Sequence, residues 1–166
     1  MFFGAVPTHE AEGAVLAHSI QFGRTKLRKG RCLSAEDIAA IAEAGIAELT
    51  VARLDEGDMD EDAAASAVAA ALVSGGEAGG FSVSAPFTGR VNLFAEAPGV
   101  MRIDAAAVAA LNAVDPAITL PTLPDFARVQ ARQMVATVKI IPYGIAAAKV
   151  ARAANVLRAS SLRLHR

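Results

Sequence analysis

The chain has no tryptophan, one tyrosine and only seven phenylalanines in 166 residues. With so few rings, its core has to be built from Val, Ile, Leu and Ala. Alanine makes up much of the 54% apolar content. It favours helix but supplies little buried area per residue, so helices lying closely on small sheets are expected. The single cysteine, Cys32, excludes an intrachain disulfide. The apolar runs are short, and none approaches the roughly 20 residues that a membrane-spanning helix needs. Residues 1–13 lack the charged, apolar and small-residue succession of a secretory signal. These absences lead to the expectation of a soluble protein in a reducing cytoplasm.

Catalytic signatures are also missing. The sequence contains no Gly-x-Ser-x-Gly elbow, no phosphate-binding P-loop and no dinucleotide fingerprint. His9, His18 and His165 stand apart from Cys32 and from any nucleophile motif. Arg31 beside Cys32 would favour a thiolate, but a buried, inert cysteine is the simpler reading. A stand-alone enzyme using His18, Cys32 or the Asp58–Asp62 cluster has no base–nucleophile or ligand spacing behind it. The acids at 60–62 also miss the alternating pattern of a calcium loop, so no metal is expected.

What is present is unevenly distributed. Residues 55–77 carry seven acids and no Lys or Arg, whereas residues 126–166 carry eight Lys or Arg and no acid. Such asymmetry marks either two solvated faces or an interaction surface. The basic residues are not interleaved with aromatics, so nucleic acid is not an expected partner. The basic tail, 145–166, is expected to be helical, and either poorly packed or docked on a second copy.

Local signals place the elements. The segment Ala14–Ile20 reads as a strand able to pair with 26–33 across a turn at Gly23. Ser34, with Asp37 three residues on, reads as a helix N-cap, and Gly45 as its stop. Alternation from Leu49 to Arg53 predicts a strand. A second helix is predicted from Asp60 to about Val73, with its acids at the positive end of the dipole. A glycine-rich loop follows at 74–80. Strands are predicted at 81–84, 91–95 and 100–103, then a helix from Ala105 capped by Asp104. Further strands are expected at 118–120, 126–129 and 134–141.

One stretch concentrates functional groups. Thr88, Gly89, Arg90 and Asn92 place a hydroxyl, a permissive backbone, a guanidinium and an amide within five residues. Glycine allows close backbone approach, and the arginine fork suits phosphate or carboxylate. Lys139 interrupts an apolar strand, where it either reaches water along its stem or meets an anion. Alternation puts it on the side of Val135, Thr137 and Ile141. Asn112, Asp115 and Thr119 form a second polar group, which also reads as a helix end followed by an Asp-Pro turn. Thr88, Arg90, Asn92, Asn112, Asp115 and Lys139 are the candidate ligand-binding residues.

Several of these stretches resemble a known family. Gly13-Ala14-Val15-Leu16-Ala17-His18, the run from Leu27 to Ile38, and Ala44-Gly45-Ile46-Ala47-Glu48-Leu49-Thr50-Val51 resemble the β-rich region preceding the cofactor-binding domain of molybdopterin molybdenumtransferases. Phe87–Leu93 and Met134–Pro142 are similar to a bacterial molybdopterin-binding family. There a comparable N-terminal region leads into a molybdopterin-binding domain, sometimes followed by a nucleotidyltransferase domain. The resemblance implies that the cofactor-binding domain begins beyond Arg166. The family's Thr-Gly-Gly-type loop is not in this sequence, so none of its pterin-binding residues carries over.

The expected fold is α+β, with small, mostly antiparallel sheets and three or four helices. Part of it is expected to be a barrel-sandwich-like β module. The expected segments are 1–54, a β-rich part with one helix; 55–80, an acidic helix and linker; 81–144, a hybrid-barrel-like part with one helix; and 145–166, the tail. The expected role is that of an accessory and scaffolding module in molybdenum cofactor biosynthesis, not turning over substrate alone. It would bind no cofactor by itself, with molybdopterin implied for the parent protein. Its partners would be a molybdopterin-binding domain, in the same or another chain, and further copies of itself, with neither nucleic acid nor membrane. The alternative is a carrier-like module. Residues 83–91 and 129–135 resemble the two halves of biotinyl and lipoyl domains, although no lysine lies between Arg90 and Lys139 to carry a prosthetic group.

Overall fold

The computed structural model describes residues 1–73, 80–157 and 161–166. The expected glycine-rich loop therefore lies outside the described residues except for Gly80, as do positions 158–160 of the tail. The chain divides into two compact units, Met1–Asp58 and Met59–Arg166.

In the first unit, β1 (Phe2–Pro7), β2 (Val15–Leu16), β3 (Ile20–Phe22) and β4 (Thr25–Leu27) precede helix α1 (Ala35–Glu43) and strand β5 (Glu48–Arg53). An antiparallel sheet forms in the order β1-β5-β2, and β3 and β4 make a separate hairpin. The segment expected to form one long strand, 14–20, is divided between these two sheets. Its first half pairs with β5 and also bonds to Arg31 and Leu33 through the backbone. Only Ile20–Phe22 pairs across the Gly23 turn. The core here is Val6, Leu16, Leu27, Leu33, Ile41, Leu49 and Val51, with Ile20, Phe22, Ile38 and Ile46 packed on it.

Helix α1 begins where its local chemistry demands. Ser34 Oγ accepts from the Asp37 N–H, and the Asp37 carboxylate accepts from the Ser34 N–H, so two orphan donors are satisfied reciprocally. Arg31 then grips the same carboxylate with two bonds, Nε at 2.7 Å and Nη2 at 3.0 Å.

The second unit contains β6 (Asp58–Asp60, starting at the last residue of the first unit), α2 (Glu61–Val73), β7 (Phe81–Val83), β8 (Arg90–Ala95), β9 (Gly99–Ile103) and α3 (Ala105–Asn112). It continues through β10 (Ile118–Thr119), β11 (Arg128–Val129), β12 (Met134–Ile140), β13 (Gly144–Ala146), α4 (Ala147–Val156) and β14 (Leu162–His165). Its main sheets run β10-β12-β8-β7 and β11-β9-β14, with β13 paired to β6. The core is built from Val91, Leu93, Met101, Leu111, Ile118, Val138 and Ile140, against Val68 and Leu72 of α2. No helix among the described residues is long and apolar enough to cross a membrane.

Two expectations are corrected here. The molecule is α+β with four helices and small antiparallel sheets among the described residues, but no sheet closes into a barrel. The four-stranded sheet ends at β10 and β7. Val129, expected in the second barrel half, belongs instead to the sheet of β9. With two- to seven-residue strands split between two sheets, there is no continuous ladder to close. The tail is likewise not loosely packed. Val150, Ala153 and Leu157 are buried in the core of the second unit, and 162–165 pair with β9. Alternating Leu162, Arg163, Leu164 and His165 is a strand pattern that the basic charge obscured.

Arg31 holds the Asp37 carboxyl below the usual carboxylate range, and the Ser34 N–H adds to this against partial burial. A depressed folded pKa stabilises the fold above the unfolded value of about 3.9. That stability is lost as pH falls through the lower folded value. Asp37→Asn is expected to lower stability of the first unit by about 1–2 kcal/mol at neutral pH. Its urea-unfolding midpoint should also fall less than that of the unmodified protein as pH drops below about 4. Equal acid sensitivity in both proteins would contradict this role.

Candidate functional site

The polar stretch around Arg90 is shaped by a tight reversal at its centre. Phe87 and Arg90 exchange backbone hydrogen bonds, N to O in both directions, at 3.0 and 3.1 Å. Between them Thr88 has φ 49° and Gly89 φ 69°, the paired positive angles of a two-residue hairpin turn. Glycine adopts this conformation freely. Threonine, branched at Cβ, does so only under strain.

Gly89 is buried in a seat with no room for a side chain. A Cβ there would lie 2.6 Å from the Ile140 carbonyl oxygen and 2.9 Å from a Glu61 carboxylate oxygen. Its backbone is fixed on both sides. The Gly89 N–H donates to Asp62 Oδ1 at 2.7 Å, and its carbonyl accepts from the Ile140 N–H at 2.8 Å. Lys139 Nζ donates to the Thr88 carbonyl. The turn is thereby tied to β12 and to the first turn of α2. Asp60 caps that helix, its Oδ1 accepting from the N–H groups of Asp62 and Ala63. The Glu61 N–H donates to the Tyr143 carbonyl. Burial, and then the charge of Glu61, push the Tyr143 hydroxyl pKa upward.

The register of β8 and β12 decides which side chains share a face. Arg90 stands directly opposite Lys139, Asn92 opposite Thr137, and Val91 opposite Val138. Val91 and Val138 point into the core, so Arg90, Asn92, Thr137 and Lys139 point the other way. The Thr137 hydroxyl donates to Asn92 Oδ1 at 3.0 Å. On the far side of β12, Thr119 pairs with Lys139. A bulge between Met134 and Ala136 corrects the simple alternation: Val135 is buried, not on the face of Lys139.

Thr88, Arg90, Asn92 and Lys139 are thus brought together. Asn112 and Asp115 have structural partners instead. Asn112 Oδ1 accepts from the Leu120 N–H at 2.7 Å and fixes the chain after α3. Asp115 accepts from the Ala117 N–H at 2.9 Å and pairs with Lys149 at 2.7 Å. Lys149 is the main cause of its lowered pKa, and the Ala117 N–H adds to it. Glu61 and Asp62, which read in the sequence chiefly as helix-dipole partners, border the turn. Their contact with Gly89 had no local sequence signal.

Arg90 is exposed and Lys139 half-buried. Among the described residues neither forms a salt bridge. Two cations directly opposed across antiparallel strands repel each other, and a shared anion would relieve that repulsion. Among the described residues, no group of three or more His, Cys, Asp or Glu side chains is arranged to hold a metal ion. His18 is exposed in the first unit, and so is Cys32, which corrects the expectation of a buried cysteine.

A family profile described as a domain of unknown function (DUF8806) matches residues 5–53, within the first unit. No curated protein and no solved structure matches the chain.

Gly89→Ala is expected to destabilise the second unit by more than about 1 kcal/mol, because the new methyl meets backbone at a positive φ. Thr88→Asn should raise stability by up to about 1 kcal/mol, since asparagine tolerates the left-handed conformation better. Chemical denaturation of both variants checks the pair. A stabilised Gly89→Ala would disprove the close seat.

Proposed function

We propose that this chain is a cytoplasmic accessory and scaffolding module of a molybdopterin-handling protein. In this reading it turns over no substrate alone and contacts an anionic ligand through Thr88, Arg90 and Lys139. The observation that carries the ligand contact is the like-charge pair Arg90–Lys139, opposed in register without a salt bridge among the described residues. Its scaffold is rigid. Lys139 lies on a strand, and Arg90 follows a turn fixed by Asp62 and Ile140. Donors already held in place lose little freedom when an anion arrives. The nearby carboxylates of Glu61 and Asp62 limit the site to an anion approaching from the Arg90 side.

The ligand class comes from the resemblance of segments 13–18, 27–38, 44–51, 87–93 and 134–142 to molybdopterin-binding proteins. Pterin phosphate is the anion that this class supplies. Molybdopterin itself would be held mainly by a partner domain, with this module positioning that domain and joining copies of the assembly.

A charge-assisted hydrogen bond to an anion is worth roughly 1.5–3 kcal/mol. Arg90→Ala and Lys139→Gln should therefore each weaken binding of a molybdopterin-type pterin phosphate by about tenfold to a hundredfold. Calorimetric titration of the full natural protein measures this, with circular dichroism as the check on folding. Unchanged affinity in both folded variants would refute the contact. Nucleotidyltransferase or molybdenum-insertion turnover by purified 1–166 protein would refute the non-catalytic role.

A further inference from the structure

A second cationic surface lies on the sheet β11-β9-β14, separate from the sheet of Arg90 and Lys139. Register places Arg163 opposite Arg102, and both His165 and Arg128 opposite Val100. Paired residues project to the same face, and residues two apart share it. Arg128, Arg102, Arg163 and His165 therefore line one side, while Met101, Ile103, Val129 and Leu162 fill the core on the other. This is a second like-charge pair across antiparallel strands. Part of the Arg102 charge is already met by a carboxylate, which leaves its other guanidinium N–H groups to face a ligand. Asp125 accepts from Arg102 Nε at 3.1 Å and from the Ile103 N–H at 2.9 Å. Asp104 caps α3 through the Ala107 N–H.

The Arg102 side is held in advance. Its guanidinium carbon lies 4.3 Å from the centre of the Phe126 ring. Phe126 has φ 63° and is 64% exposed. A bulky residue in this conformation is strained, and here burial does not offset the strain. Its ring does cover Arg102. The Phe126 N–H donates to the Met101 carbonyl at 2.8 Å, fixing the loop to β9.

Between the two arginines is a cleft of about 360 Å³, lined by Arg102, Ile103, Asp104, Arg163 and His165. That is the size of a small-ligand site. We propose that this cleft binds a phosphate-type oxyanion between Arg102 and Arg163, with His165 at its rim. Two planar forks and a third donor suit a group with three or more acceptor oxygens better than a carboxylate. Asp104 on the wall disfavours an extended polyanion, so the ligand is compact.

The probe is inorganic phosphate, titrated into the full chain and followed by amide chemical shifts. Shifts are expected at 100–104 and 162–166, saturating in phosphate. Arg102→Gln and Arg163→Gln should each weaken this response by roughly tenfold or more, and Arg102→Lys less than Arg102→Gln. Arg132→Gln removes the same charge outside the cleft and should leave the response intact, which excludes a net-charge effect. Arg90→Ala should also leave it intact, so failure of the Arg90–Lys139 contact is read separately. If Arg163→Gln does not fold, the half-exposed Arg102 variants decide alone. No saturating shift at these amides, or equal shifts in the folded glutamine variants, overturns the proposal.

Discussion

The second unit depends on how closely the backbone at Gly89 approaches its neighbours. One residue without a side chain lets a β-turn, strand β12 and the first turn of α2 meet at hydrogen-bond distance. The Asp62 carboxylate and the Ile140 N–H hold the two ends of that residue. Because side chains in a strand alternate with a period of two, this tie also fixes faces. It commits Val91, Leu93, Val138 and Ile140 to the core, and Arg90, Asn92, Thr137 and Lys139 to the opposite side. The first unit has a smaller counterpart in Arg31, Ser34 and Asp37, where one carboxylate serves both a helix cap and a guanidinium.

Arg90 and Lys139 face each other without a salt bridge among the described residues, whereas at Arg102 and Arg163 the Asp125 carboxylate offsets part of the repulsion. A cross-strand pair changes stability by roughly 0.2–1 kcal/mol, and like charges make it unfavourable. A charge-assisted bond to an anion returns roughly 1.5–3 kcal/mol. A sheet with a buried apolar face can therefore tolerate the repulsion when empty and still gain from a ligand. Both pairs are also braced by residues in left-handed backbone conformations, Thr88 beside Arg90 and Phe126 over Arg102. Strain of this kind persists only where the surroundings determine it.

Local chemistry was the legible part of the sequence. Ser34 with Asp37, Asp104 before an alanine run, and the acids before α2 mark helix starts through bonds spanning two or three residues. Thr88, Arg90, Asn92 and Lys139 stood out by composition, and strand register places them side by side. What could not be read was pairing at a distance. Nothing local shows that Ala14–Ile20 divides between two sheets. Nor does anything local show that Val129 and Met134 enter different sheets, which is why a barrel was expected. Asn112 and Asp115 looked like ligand groups because Leu120 and Lys149, which engage them, lie further along the chain, Lys149 on α4. The Arg102–Arg163 pair was missed for a different reason. The alternation at 162–165 was visible, but the helical spacing before it and the unbalanced positive charge suggested a helical tail, poorly packed or docked on a second copy.

The bulge at Val135 bears on how this strand can change length over generations. Met134 and Ala136 pair with the adjacent residues Phe94 and Leu93, leaving Val135 as the additional residue. Losing it would restore regular alternation and leave Thr137 and Lys139 on their present side. Losing or gaining one residue between Ala136 and Lys139 would instead rotate the lysine into the apolar interior and bring a valine or isoleucine out to replace it. Relatives that differ by one residue in this strand should therefore carry the difference at the bulge and keep the spacing from Thr137 to Ile140.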